Sequence, residues 1–251
     1  MTFYMNLCID IGNSRSKLAV FSEEGDLLQL VTRERFSQKK LDKVLKKYPI
    51  RQAILSSVRR RNSRIERQLS GQLEHFVRLN WELALPIENS YVTPETLGND
   101  RIAAVVAAHS LFSDSDVLVI DAGTCITYDF ITVGGNYLGG SILAGVEMRF
   151  SALAHFTDKL PLVQRIDLDQ EIGNTTLSSI QTGVQSGVVY EMQGFIAQYQ
   201  KEYPELRVLI TGGDADFFEK RLSSQLFKVP NLVLMGLNQI LNYHVQQHTA
   251  D

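Results

Sequence analysis

The stretch Ile9-Asp10-Ile11-Gly12-Asn13-Ser14-Arg15-Ser16-Lys17 holds three kinds of group that can handle a phosphate. Asp10 supplies a carboxylate able to hold a hydrated metal ion, and Lys17 supplies a mobile cation. Gly12-Asn13 frees backbone N–H groups where no Cβ blocks a close approach. Apolar runs precede it (Leu7 to Ile11) and follow it (Leu18 to Phe21), so the stretch reads as two strands joined by a tight turn. Taken alone, the same pattern also describes a plain hairpin whose Asp and Asn satisfy the turn.

A second copy separates these readings. Val117 to Ile131 repeats strand, Asp121-Ala122-Gly123-Thr124 turn and second strand, with the two aspartates 111 positions apart in a chain of 251. An acid-bearing turn opening each half points to a duplicated domain. Two such hairpins facing one another across a cleft would clamp a nucleoside triphosphate. A third acid, Asp100, stands in Gly98-Asn99-Asp100-Arg101 just before an apolar helix from Ile102. By position alone it is an N-cap, with the helix dipole favouring its charged form.

The chain must build elements to carry these residues, and its composition allows it. It is 44% hydrophobic and 21% charged, ordinary for a globular protein with one large core or two small ones. A net charge of −3 gives no basis for bulk binding to nucleic acid or an anionic membrane. No apolar run is long enough to span a bilayer, and the start lacks the pattern of a secretory signal. Cys8 and Cys125 both fall on expected core strands and read as small buried apolar side chains in a reducing compartment, so the expected location is cytoplasmic.

The first hairpin leads through Glu24-Gly25-Asp26 into a third strand, Leu27 to Thr32. A helix capped by Ser37 carries Leu41, Val44, Leu45 and Tyr48 and stops at Pro49; a strand over Gln52 to Val58 and a polar helix over Ser63 to Leu73 follow. Arg59-Arg60-Arg61 is the most basic patch and reads as a solvated helix start. Pro86 to Gly98 is an expected loop, and Ile102 to Phe112 a helix so apolar that it should be buried. A polar break at residues 113–116 sets the domain boundary, giving domains 1–115 and 116–251. The second half repeats strands at Val117 to Asp121, Cys125 to Thr132 and Tyr137 to Leu143, then a helix from Val146. In a long helix from Thr176 to Tyr203, Ile180, Val184, Val188, Met192, Phe195 and Tyr199 form one stripe notched by Gly183 and Gly187, either internal packing or a dimer seam. Val208 to Thr211 runs into Gly212-Gly213-Asp214-Ala215, and Leu234 to Val245 is a last amphipathic helix that would pack back across the cleft. The Asp167/Asp169 pair reads as solvated loop acids.

Meander, helix and strand, twice over, resembles the duplicated ribonuclease-H-like α/β fold of actin, chaperone ATPases, sugar kinases and acetate kinases, with two similar domains around a nucleotide cleft. The motifs narrow this to a resemblance to the type III pantothenate kinases. They are Asp10-x-Gly12-Asn13-Ser14-x-x-Lys17, Tyr91 and Pro94 ahead of Leu97-Gly98-Asn99-Asp100-Arg101, Asp121-x-Gly123-Thr124-x-x-Thr127, Gly139-Gly140-x-Ile142-x-x-Gly145, Thr176 with Gly183, and Thr211-Gly212-Gly213-Asp214-Ala215. They stand in family order over nearly the whole chain. Ala144 departs from the pattern, which has proline there.

The resemblance implies ATP-dependent phosphorylation of pantothenate, the first step toward coenzyme A. It assigns the ATP phosphates, with Mg²⁺, to Asp10, Ile11, Gly12, Asn13, Ser14, Arg15, Ser16 and Lys17, joined by Thr124, and the adenosine to Gly212 and Gly213. It makes Asp100 the group that orients or deprotonates the acceptor hydroxyl. Tyr91, Gly98, Asn99, Asp100, Arg101 and Thr176 become pantothenate contacts, with Arg101 matched to the carboxylate. It further implies a monovalent cation (K⁺ or NH₄⁺) at Asp121, a carboxylate that by chemistry alone could equally serve Mg²⁺, and a homodimer in which Thr176 reaches the partner's substrate site. A same-fold regulatory protein without catalysis, or a kinase for another small acid or alcohol, are the alternatives.

Overall fold

In a computed structural model of the protein, residues 4–12, 14–34, 37–58, 63–167, 171–222 and 225–249 are described. Asn13, Arg59 to Arg61 and Asp169 lie outside them. The chain divides into two compact units, residues 1–111 with 135–137 and 231–251, and residues 112–134 with 138–230.

The first unit opens with β1 (Met5–Ile11), β2 (Ser16–Phe21) and β3 (Leu27–Arg33), then α1 (Gln38–Lys47), β4 (Ile50–Ser57), α2 (Ser63–Gln72) and β5 (His75–Arg78). Its sheet runs β3-β2-β1-β4-β5, antiparallel over the meander and parallel from β1 through β4 to β5. Leu7, Ile9, Leu18, Val20 and Leu55 meet Leu41, Val44, Ile65 and Leu69 of α1 and α2 in one core. Ser37 occupies the N-cap of α1 in an extended conformation, yet its hydroxyl makes no cap bond. A two-residue strand β6 (Glu88–Asn89) and a 3₁₀ turn (Pro94–Thr96) lead into α3 (Asn99–Leu111). Every residue of α3 from Arg101 to Ala108 is buried, as its lack of a polar face demands.

In the second unit β7 (Val117–Ala122) and β8 (Cys125–Ile131) form a hairpin and β9 (Asn136–Ala144) follows. The first two residues of β9, grouped with the first unit, pair with β6. Next come α4 (Val146–His155), α5 (Thr176–Glu202), β10 (Arg207–Thr211), α6 (Ala215–Glu219) and β11 (Phe227–Lys228). The order β9-β8-β7-β10-β11, with β10 and β11 parallel to β7, repeats the first sheet strand for strand. The stripe on α5 faces inward: Ile180, Val184, Val188 and Met192 are buried against β7, β8 and β10, with Tyr128 stacked on Phe195 at 4.3 Å. A Cβ at Gly183 or Gly187 would touch nothing within 4 Å, so no backbone of this unit uses the room they leave.

The chain ends in α7 (Leu232–Thr249), and here the expected boundary is corrected. A division at 115/116 puts this helix in the second half, whereas it belongs to the first unit, packed on α3. Gly236 is the reason: a Cβ there would stand 1.7 Å from the Ala103 carbonyl oxygen, so the two helices meet backbone to backbone. Asn6 ties α7 to β1, donating to Asn238 and Asn242 at 2.7 Å each while accepting from Gln52. Cys8 is buried, but Cys125 is exposed, because it is the first residue out of the β7–β8 turn; both are free thiols. No described helix is long and apolar enough to cross a membrane.

Candidate active site

Asp10 sits one residue from the C-terminal end of β1, in register with Lys17 on β2 and Ser56 on β4. Ser56, fully buried, donates its hydroxyl to Asp10 Oδ1 at 3.1 Å. Desolvation and then the charge of Asp100 push the Asp10 carboxyl up to about 6, against the opposing pull of Ser56 and Lys17. Two carboxylates therefore feel each other inside the first unit although 90 residues separate them in sequence.

The turn beyond Asp10 is closed by Gly12 N–H donating to the Arg15 carbonyl at 3.0 Å. A Cβ on Gly12 would come 2.9 Å from that same oxygen. Ser14 and Arg15 are exposed at its tip. Ile11 and Ser16 are not: both are buried, Ile11 in the core, so the phosphate-facing role expected of them is left to their backbone.

Asp100 lies in the first turn of α3, not at its cap as position alone suggested. The helix begins one residue earlier, and the Gly98 carbonyl accepts from Arg101 and Ile102. The carboxylate still serves the helix end, with Oδ1 accepting from the Arg101 N–H at 2.9 Å. A Cβ at Gly98 would lie 2.5 Å from Asp100 Oδ1, so a larger residue there would displace that carboxylate. Asn99 turns its amide to the Leu79 carbonyl at 3.0 Å, a bond that fixes the start of α3 to the residue just after β5. Arg101 is 5% exposed, its guanidinium 5.5 Å from the ring centre of Tyr91, and Tyr91 in turn stacks on Tyr137 at 6.2 Å. Tyr91, Gly98, Asp100 and Arg101 are thus grouped in one unit with Asp10 and Lys17. Lys17 Nζ donates to Asn231 Oδ1 at 3.4 Å, a contact across 214 residues that no local pattern signals.

The second unit gathers its own set at the C-terminal end of β7. Asp121 is in register with Thr127 and Thr211, the counterpart of Asp10 with Lys17 and Ser56. Its turn is one residue shorter, with Gly123 N–H donating to the Cys125 carbonyl at 2.9 Å. Gly145, ahead of α4, donates to the Thr124 carbonyl, and a Cβ on it would stand 2.2 Å from the Gly123 oxygen. Gly212, at φ 98, leaves no room for a Cβ beside the Ala122 carbonyl (2.2 Å) and Asp121 Oδ1 (2.6 Å), while Gly213 faces open space. Asp214 pairs with Arg165 at 2.7 Å. Ala144 ends β9 with its carbonyl held by Arg149 Nε at 2.9 Å.

Thr176 is exposed at the start of α5, which Thr175 and Ser178 cap reciprocally. It lines a groove of about 1030 Å³ together with Arg149, Leu153, Asn174 and Ile180. Among the described residues no three His, Cys, Asp or Glu side chains converge on a metal-binding point.

The pattern of the family described as Type III pantothenate kinase matches residues 6–198. A type III pantothenate kinase from Phocaeicola vulgatus is 46% identical over 240 residues, covering 96% of this chain and 99% of its own. One from Cytophaga hutchinsonii is 44% identical, covering 96% and 100%. Among solved structures, a Campylobacter jejuni protein described as a Baf family transcriptional activator aligns with a TM-score of 0.60 at 24% identity over 96% of this chain and 99% of its own. A ROK family glucokinase from Streptomyces griseus aligns with a TM-score of 0.53 at 9% identity over 96% and 100%. At such identities the two structures speak for the fold alone, the duplicated α/β fold of the sugar kinases.

Proposed function

The chain belongs to the type III pantothenate kinase family, and we infer from this membership that it transfers the γ-phosphoryl group of ATP to the primary hydroxyl of pantothenate, toward coenzyme A. The observation that carries the reading beyond the family is the joint placement of Asp10, Lys17 and Asp100 in one unit, with Tyr91 and Arg101 alongside.

Phosphoryl transfer asks a protein to position groups and offset charge. Lys17 and the backbone N–H groups of the turn from Gly12 to Arg15 would hold the phosphates, with Asn13 in the same loop. Thr124 and the Gly212-Gly213 segment would serve the nucleotide from the second unit, Gly213 offering bare backbone to a flat base. Asp10 suits a Mg²⁺ ion. It is a single desolvated carboxylate steadied by Ser56, and Mg²⁺ is commonly held by one or two carboxylates plus substrate phosphates. When bound, the ion would neutralise phosphate charge. Asp121 would hold the monovalent cation, K⁺ or NH₄⁺, at the matching end of β7.

Asp100 would accept a hydrogen bond from the pantothenate hydroxyl and aim its oxygen in line with the transferring phosphorus. Because the Arg101 N–H already occupies one of its oxygens, the other is the one offered to substrate. Arg101 would face the pantothenate carboxylate, with Tyr91 stacked beside it. Thr176 lies in the other unit on an open groove, which fits the reading that it reaches a partner subunit's site in a homodimer. The exposed Ile172 and Leu177 beside it supply apolar surface for such a contact. A cytoplasmic location fits two unpaired cysteines, one of them exposed.

The test is ATP-dependent phosphorylation of pantothenate, with and without potassium, on the wild type and Asp100→Asn. Turnover that needs potassium and falls steeply in Asp100→Asn is expected. Activity on a different alcohol with none on pantothenate would overturn the substrate, and nucleotide binding without turnover on any acceptor would overturn the enzyme.

A further inference from the structure

Asn231 heads α7 at the point where the chain passes from the second unit into the first. It is the non-glycine residue with a positive φ (58°) among the described residues, a conformation that asparagine tolerates better than most side chains. Its carbonyl accepts from the N–H groups of Leu234 and Met235 at 2.9 and 3.2 Å, so its backbone starts the helix. Its side-chain Oδ1 is turned to the first strand pair instead, accepting from Lys17 Nζ at 3.4 Å.

Lys17 has a competing neighbour. It is the direct cross-strand partner of Asp10, close enough for opposite charges on one sheet face to draw together. An ion pair there would spend the ammonium on a carboxylate needed elsewhere. A carboxamide oxygen behaves differently: it directs the ammonium by one hydrogen bond without neutralising it. We propose that Asn231 is a positioning residue for phosphate binding, holding the Lys17 ammonium away from Asp10 and fully charged for the ATP phosphates. The inference rests on Lys17 being a phosphate ligand.

The two requirements, a left-handed backbone and a neutral acceptor, also define the test. Steady-state kinetics and thermal melting are measured for wild type, Asn231→Gly, Lys17→Met and the double variant. Glycine keeps the backbone conformation and is a tolerated cap residue, so a merely structural role for Asn231 predicts unchanged kinetics. A positioning role predicts that Asn231→Gly raises the KM for ATP roughly three- to tenfold, in line with loss of a charge-assisted hydrogen bond, with the KM for pantothenate and the Tm near wild type. It also predicts no further rise when Lys17→Met is already present. An unchanged KM for ATP in Asn231→Gly, or an equal rise in both backgrounds, would overturn the proposal. If Lys17→Met itself leaves the KM for ATP unchanged, the phosphate role of Lys17 fails first and takes this inference with it. Asn231→Asp gives a second handle, since it keeps cap and backbone but ion-pairs Lys17. Its KM for ATP should rise more with Lys17 present than with Lys17→Met, and equal rises again overturn the idea.

Discussion

The β1–β2 turn and the β7–β8 turn are copies of one device put to different uses. Each follows an aspartate near the C-terminal end of the first strand of its sheet, in register with a hydroxyl residue on the parallel neighbour: Ser56 for Asp10, Thr211 for Asp121. In the first, the surroundings are charged, with Lys17 across the strand pair and Asp100 close enough to raise the Asp10 pKa. In the second the charge across the pair is replaced by Thr127, and the tight fits are to backbone, at Gly145 and Gly212. The two turns are therefore equivalent platforms, one set among charges and one fitted closely to neighbouring backbone.

The sharpest way to break this comparison is to remove a charge on each side. Asp100→Asn should lower turnover by on the order of 10²- to 10⁴-fold with the KM for ATP little changed, read by steady-state kinetics. Asp121→Asn should instead act through the potassium dependence. Equal losses in both would mean that the division between charge and shape is wrong.

Next in size is backbone fit. Gly212→Ala forces a Cβ against the Ala122 carbonyl at a positive φ and should cost about 2–3 kcal/mol of stability. Gly213→Ala, facing open space, should leave the Tm nearly unchanged and act on nucleotide binding alone. Thermal melting without ligand separates the two.

A smaller effect is the pH dependence of Asp10. Its carboxyl titrates near 6 in the fold against 3.8 when unfolded, so the folded chain holds this proton longer. Stability from this group is complete below about 3.8 and falls as pH rises through about 6. Asp10→Asn should thus be more stable than wild type by on the order of 1–3 kcal/mol above pH 6, with the gap closing below pH 4, while losing activity throughout. In the wild type the KM for ATP should climb as pH drops through 6. No widening of the Tm gap between pH 4 and pH 8 would show that Asp10 is not desolvated as described.

Ser56→Ala is the gentlest probe. It removes the hydroxyl that favours the charged Asp10 and should cost about 1 kcal/mol, moving the midpoint of that KM profile upward. Thr211→Val, at the equivalent place in the second unit, should leave the midpoint where it was.

Much of this was legible from residues alone, for identifiable reasons. The paired Asp-x-Gly turns repeat in sequence because they repeat in sheet topology, and α3 announced its burial through its alanines and valines. Short edge strands were not legible. His75–Arg78 and Phe227–Lys228 are too brief to show alternation, and they exist because a parallel neighbour offers hydrogen bonds. The attachment of α7 was also hidden. It depends on Gly236 meeting Ala103, and a lone glycine in a helix reads as a weakness until its partner is known. Cys125 looked like core because its strand is core, although the first residue after a turn is not. Asn231 carries no local signal, since its partner lies at the other end of the chain.

That a helix from residues 232–249 completes a unit begun at the amino terminus has a consequence for biosynthesis. On the ribosome, the apolar α3 emerges more than a hundred residues before the segment that covers it. The first unit must therefore wait, incomplete, while the second is made, and its exposed helix is the surface a chaperone would meet. This unit becomes whole only once residues 232–249 have been made and can pack on α3.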